Sequence, residues 1–428
     1  MLVQDFFIGT LLYSLLVFGS LATEFEKVFE WKQMSYADLP DSSTGQDGIV
    51  FPRIMTEMEN ETFQAYNNVP MGASVHKNRL FLSIPRRRPG VPATLNVIDL
   101  SKVTPGDRSP SLTAYPTYAI NELKPNYEPD LNRLVSVYRT RVDACDRLWF
   151  VDTGMLEYPD NRRQVQRPQI WVIDLTRDQL VRRFAIPESI VREGVGMASI
   201  SVDVEPADCE RAFAYIPDLA VNAIHVYSLR DDDMWTFNHS SFVHDHQKAK
   251  FNVAGQRFQW DDGVFSVAIG QNDTEVGSRL IYYHPMVSTA EFGTFSSVLQ
   301  SKAIALSGHT DGLFETLGDR GPNTQSTMHL YDRRTGVLFY AEVNRNSIGC
   351  WNTAQIFDAG NHAVVHLDNR EFIYPSDLTS DSEGTLWVLT NSLPVWIYSR
   401  LSEGEFNFRL WRQNPAVAIK GTKCDNLP

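Results

Sequence analysis

The chain is short of positive charge. Its 428 residues carry 39 Lys and Arg against 52 Asp and Glu, a formal net charge of -13. The one basic cluster is Arg86, Arg87 and Arg88. A surface of this sign repels phosphates, so nucleic acid is excluded as an expected partner. Long apolar runs are missing too. Residues 6–18 form an uncharged run of 13, too short for a comfortable membrane span and about right for a signal-peptide core. Ser20 and Ala22 supply the small residues of a cleavage site, so residues 1–22 read as a leader and residues 23–428 as the mature chain. Asp5 precedes the run with no Lys or Arg beside it, which leaves an uncleaved anchor as the alternative. No other stretch suits a membrane, so no membrane partner is expected once the leader is gone. Helical periodicity is nearly absent; "PESIVREGV" from Pro187 makes at most one or two turns. Several catalytic signatures are lacking as well: a G-x-S-x-G elbow, a phosphate-binding loop, H-E-x-x-H and a dinucleotide fingerprint.

Cysteine is scarce but even in number, at Cys145, Cys209, Cys350 and Cys424. Three N-x-S/T glycosylation acceptors occur, at Asn60, Asn238 and Asn272. With the leader, these features point to a secreted glycoprotein of the oxidising extracellular space.

Aromatic residues are plentiful, with 9 Trp, 16 Tyr and 24 Phe, a composition that favours strands. One phrase occurs twice. "CDRLWFVDTG" begins at Cys145 and "CERAFAYIPD" begins at Cys209. Around each lie four short strand patterns with polar turns between them. Similar sets begin near Met71, Asp262, Ser326 and Tyr374, recurring every ~50–70 residues. Six four-stranded units predict an all-β fold, a six-bladed β-propeller with a central channel; a pair of β-sandwiches is the alternative. The last set reads "GTLWVLTN", "VWIYSRL", "FNFRLW", which completes blade six from its own sequence. "FEKVFEWKQM" then adds an outer strand to a blade that the sequence does not identify. Four cysteines allow three pairings. Cys145 and Cys209 occupy the same slot in neighbouring blades, so the register selects Cys145–Cys209 and leaves Cys350–Cys424. A thiol nucleophile is then not expected.

Six separated blocks carry a resemblance: "NVPMGASVHKNRLFLSIPRRRPGVPATLNVIDL", "CDRLWFVDTG", "SISVDV…CERAFAYIPDL", "FQWDDGVFSVAI", "GVLFYAEVNRNSIGCWN" and "LWVLTNSLPVWIYS". They resemble the insect yellow and major royal jelly protein family, from about Phe29 to Trp411. The "PRRRPGVPATLN" block is most similar to the yellow-f type. The resemblance implies secretion and a six-bladed propeller. It also implies one of several activities: dopachrome conversion (to 5,6-dihydroxyindole products) in melanin formation, binding of biogenic amines or catechols without catalysis, or a structural role in cuticle and pigmentation. No cofactor is implied, and the expected partner is a small aromatic ligand.

Propellers bind small ligands at one mouth of the channel, where second strands end and innermost strands begin. Second-strand ends here are Asp152, Asp218, Asn344 and Asn391; innermost-strand starts are Trp260, Asp261, Gln325, Tyr374 and Ser376. Acids, amides and aromatics in this mixture suit a polar aromatic ligand, although Asp and Asn at strand ends also cap turns. By resemblance to amine-binding relatives, Ser376, Asn391 and Leu393 contact a ligand, Leu393 offering apolar contact without an aromatic face. Dopachrome conversion is a tautomerisation, with or without loss of the carboxylate, that requires a base, for which Asp152 and Asp261 are candidates. Arg86 or Arg87 could hold the substrate carboxylate. His239, His244 and His246, with Asp245, lie close in sequence but fall in a polar connector with no fourth ligand evident, so no metal is expected there. Calcium in the channel is suggested only by analogy with lactonase-type propellers. His309 and Asp311 resemble part of a triad for which no activated Ser is placed.

Overall fold

The computed structural model describes residues 24–37, 63–191, 196–273, 275 and 277–425. The leader at 1–22 and the acceptor Asn60 lie outside the described residues. Six four-stranded antiparallel sheets form a ring, the β-propeller that the repeat predicts. The innermost strands are Gly72–His76, Val137–Val142, Ser201–Asp203, Val264–Asp273, Ser326–Asp332 and Pro375–Ser380. Each blade packs against a neighbour on both faces. Its middle strands are therefore largely buried, Ala223–Ser228 and Val337–Glu342 along their whole length. The outer strand Gln179–Ala185 is exposed or half-buried throughout.

Blade six closes the ring differently from the sequence expectation. "VWIYSRL" is not a strand: Leu393–Tyr398 is a helix. Pro394 explains the difference, because it lacks a donor for a central strand yet fits a helix's first turn. The fourth strand of blade six is instead Glu26–Trp31, which pairs antiparallel with Phe408–Gln413. N-terminal and C-terminal segments thus share one sheet. Trp31 is buried and donates from Nε1 to the Pro110 carbonyl at 2.9 Å.

Small hydroxyl residues join the innermost strands. Ser74 Oγ donates to Thr140 O (2.8 Å), Ser201 Oγ to Val267 O (2.6 Å), Thr327 Oγ1 to Pro375 O (2.7 Å) and Thr379 Oγ1 to Ala73 O (3.0 Å). Carbonyls at the axis would otherwise lack a partner. The cysteines pair as the register predicts, Cys145–Cys209 and Cys350–Cys424. They span 64 and 74 residues. Replacing Cys145 and Cys209 together by Ser is expected to lower unfolding stability by up to about 4 kcal/mol through loop-closure entropy, measurable as a reduced urea midpoint. Asn238 and Asn272 lie at exposed positions on blades three and four. No helix among the described residues is long and apolar enough to cross a membrane.

Candidate active site at the channel mouth

Three segments outside the blades build one wall of a cavity of ≈ 250 Å³ at the mouth of the channel. The first is the helix Leu393–Tyr398. Its entry is fixed by Asn391, whose Oδ1 accepts from the Leu393 N–H (3.1 Å) while its Nδ2 donates to Pro70 O (2.8 Å). The second is the hairpin Lys250–Val253/Gln256–Gln259, which ends at Trp260. Trp260 Nε1 donates to Tyr398 Oη at 2.7 Å, and Phe258 stacks on Tyr398 with centroids 4.9 Å apart. The third is the short hairpin Met155–Leu156/Arg163–Gln164, whose turn brings in Tyr158. Tyr138, Phe265 and Tyr374 add aromatic surface from the blades.

The charged residues lining this cavity are Arg87, Arg139, Asp160, Asp261 and Asp262. Arg139 comes from the innermost strand of blade two and crosses the channel. Its Nη2 donates to Ser376 O (2.6 Å) and its Nη1 to Ala198 O (2.9 Å). Asp262 is half-buried, and its carboxylate makes no hydrogen bond or ion pair with a described residue. Burial, and then the Asp261 carboxylate beside it, push the Asp262 carboxyl up to about 6, with Arg87 pulling the other way. Gly263 fixes this corner: a Cβ there would lie 1.9 Å from Asn222 Oδ1.

Leu393, Tyr374, Trp260, Asp261 and Arg87 therefore meet in one cavity. The other sequence candidates do not line it. Asp152 is buried and accepts from the backbone N–H groups of Val135, Ser136 and Gly154 at 2.7–3.1 Å. Asp218 accepts from those of Gly196, Ala220 and Val221. Arg86 is buried among backbone carbonyls. Ser376 Oγ donates to the carbonyls of Met71 and Leu389 (3.3 Å each). Asn344 lies outside, accepting from Asn252 N (2.8 Å) and donating to Gln325 Oε1 (3.2 Å), so both amides anchor the Trp260 hairpin. With Asp152, Asp218 and Asn391 so engaged, no cluster of free oxygens for calcium forms from them. His239 caps a short turn at Ser241 N, and His244 and His246 bond each other at 3.0 Å. Asp262 and Tyr158 were not among the candidates. The "DDG" triplet was the available signal for Asp262, but alternation from a single assumed strand start selects only one of two adjacent acids.

Among the described residues, one group has metal-ligand composition: His284, Glu291 and His329, with ligand atoms within 4.8 Å of one another. It lies between blades four and five, with all three side chains fully buried. Arg320 Nη1 sits 2.7 Å from Glu291 Oε2. This guanidinium already supplies the positive charge that the carboxylate needs, and the cluster reads as a link between blades.

A six-bladed ring with an acid-bearing aromatic cavity at one mouth defines a β-propeller with a candidate small-molecule site. Residues 135–424 match the major royal jelly protein model, and the chain belongs to that family. It is 48% identical over 409 residues to the L-dopachrome tautomerase yellow-f of Drosophila melanogaster, covering 93% of this chain and 94% of the relative. It is 34% identical to the dopaminechrome tautomerase of the same organism, covering 94% and 84%. The protein yellow of that fly is 29% identical, covering 94% and 71%.

Proposed function

We propose that this protein is a secreted tautomerase of dopachrome-type indolequinones in melanin formation, and that Asp262 is its general base. The observation that carries the reading is the Asp262 carboxyl, pushed up to about 6 and bonded to no described residue, in an aromatic cavity. A base near neutrality is both sufficiently ionised and sufficiently basic to take a carbon-bound proton. The reaction needs no oxidant. Two protons leave the saturated carbons of the five-membered ring, the electron pairs form the aromatic indole, and two protons arrive on the quinone oxygens. Asp262 takes a ring proton; Tyr158 and Tyr398 offer hydroxyls to the polar edge of the ring. The flat walls suit a planar bicycle. The relatives' names support this substrate class, and the two disulfides, with the leader expected from the sequence of residues 1–22, support secretion.

Purified protein is expected to discharge the orange colour of dopachrome faster than the spontaneous reaction. A rate equal to the spontaneous one would remove the reading. Calorimetric binding of dopamine or serotonin under those conditions would then favour an amine carrier.

A further inference from the structure

The fold uses its three consecutive arginines in three ways. Arg86 donates to the backbone carbonyls of Val91, Pro92, Asn121, Leu134 and Val135. Arg88 lies over the Trp396 ring, 3.7 Å from its centroid, and donates to Trp396 O at 3.3 Å. Arg87 lies between them and lines the cavity. Its backbone N–H donates to Pro85 O at 2.8 Å, but its guanidinium makes no hydrogen bond or ion pair with a described residue. Arg139 is the second guanidinium of the cavity, and it is held by Ser376 O and Ala198 O. Arg87 is thus the one uncommitted cation among the described lining residues. Asp160, Asp261 and Asp262 share the cavity, yet none closes an ion pair with it.

A half-buried cation facing an enclosed space is stabilised by an anion that enters that space. A guanidinium presents two parallel N–H donors that match a carboxylate. Its neighbours hold the backbone on both sides: Arg86 as above, and also through its own carbonyl, which accepts from the Glu157 N–H at 2.7 Å. The backbone that carries the fork is therefore held before any ligand arrives, which lowers part of the ordering cost of binding.

We propose that Arg87 is a carboxylate-binding subsite that makes this cavity select indolequinones carrying a ring carboxylate, as dopachrome does, over the decarboxylated dopaminechrome. The substrate class rests on the function proposed above; the anion subsite rests on Arg87 alone. No bond is made or broken at Arg87, which only pairs with the anion and orients the ring.

The test has two arms. In the first, kcat/KM is measured for dopachrome and for dopaminechrome with wild type, Arg87→Gln and Arg87→Lys. The dopachrome-to-dopaminechrome ratio is expected to fall by about 10- to 100-fold in Arg87→Gln, mainly through KM, with partial recovery in Arg87→Lys. In the second, indole-2-carboxylate and indole are titrated calorimetrically. Wild type is expected to prefer the carboxylate by about tenfold or more, and Arg87→Gln to lose that preference. An unchanged ratio, or equal weakening of indole and indole-2-carboxylate, would overturn the subsite while leaving the tautomerase reading intact. An inert wild type that still shows an Arg87-dependent preference for indole-2-carboxylate would overturn the tautomerase reading and leave the subsite standing.

Discussion

Asp262→Asn is expected to lower kcat for dopachrome by about 100- to 10,000-fold, the range over which a positioned general base contributes. The amide keeps the size and shape of the carboxyl but cannot accept the ring proton. Fold is not at risk, since the Asp262 side chain bonds no described residue and only its carbonyl is used, accepting from Val287 N at 3.2 Å. The wild-type pH profile gives the confirming signature. The base works ionised, so kcat/KM should rise with pH through about 6, the value to which burial and Asp261 push this carboxyl. Asp261→Asn removes the like charge and should move that rise to lower pH. Arg87→Gln removes the opposing charge and should move it higher. Opposite displacements from two neighbours of one carboxyl would be hard to obtain from any other titrating group. A profile that ignores both substitutions would remove Asp262 as the base.

The architecture was legible because a propeller repeats itself. Cys145 and Cys209 sit at equal places in their phrases, and that register alone was enough to select both disulfides. Ring closure was less legible. Glu26–Trp31 and Phe408–Gln413 are far apart in sequence, and no local pattern names a strand's partner. The "VWIYSRL" segment opens on a run of four apolar or aromatic residues, so periodicity did not separate a strand from a short helix, and Pro394 was the decisive residue. The site divided along a physical line. Trp260, Tyr374 and Leu393 have no charge to satisfy and face the cavity. Asp152, Asp218, Ser376 and Asn391 stand where the chain turns, next to backbone groups that need partners, and those groups take their polar atoms. Asp262 escapes this: the neighbouring Val287 N–H bonds its backbone carbonyl, and no described donor bonds its carboxylate.

The second large effect lies between blades four and five. Glu291→Gln is expected to destabilise the fold by about 3–5 kcal/mol, because it leaves the Arg320 guanidinium buried without its counter-charge. Arg320→Met combined with Glu291→Met should cost less than the sum of the single changes, since the double variant leaves no unpaired charge. Urea unfolding of wild type, Glu291→Met, Arg320→Met and the double variant measures the coupling, and strict additivity would mean that the pair does not act as a unit. The same cluster sets an acid limit. Burial, then His329, lower His284 from 6.5 to about 4. Burial alone would raise Glu291, but His329 and His284 outweigh it and hold the carboxyl below its usual range. A depressed histidine contributes its full stability above 6.5 and loses it as pH falls toward 4, roughly 3 kcal/mol across that window. The Glu291 contribution is lost at still lower pH, as the solution passes below the ordinary carboxylate range. His284→Asn should therefore flatten the fall in urea midpoint between pH 6.5 and 4, whatever it does to stability at neutrality. An unchanged slope in that variant would show that His284 does not set the acid limit. The acid limit inside the blade interface and the catalytic rise near 6 both lie on the acid side, so activity should hold at neutral pH and fall on acidification, with separate residues controlling the loss of stability and the loss of catalysis.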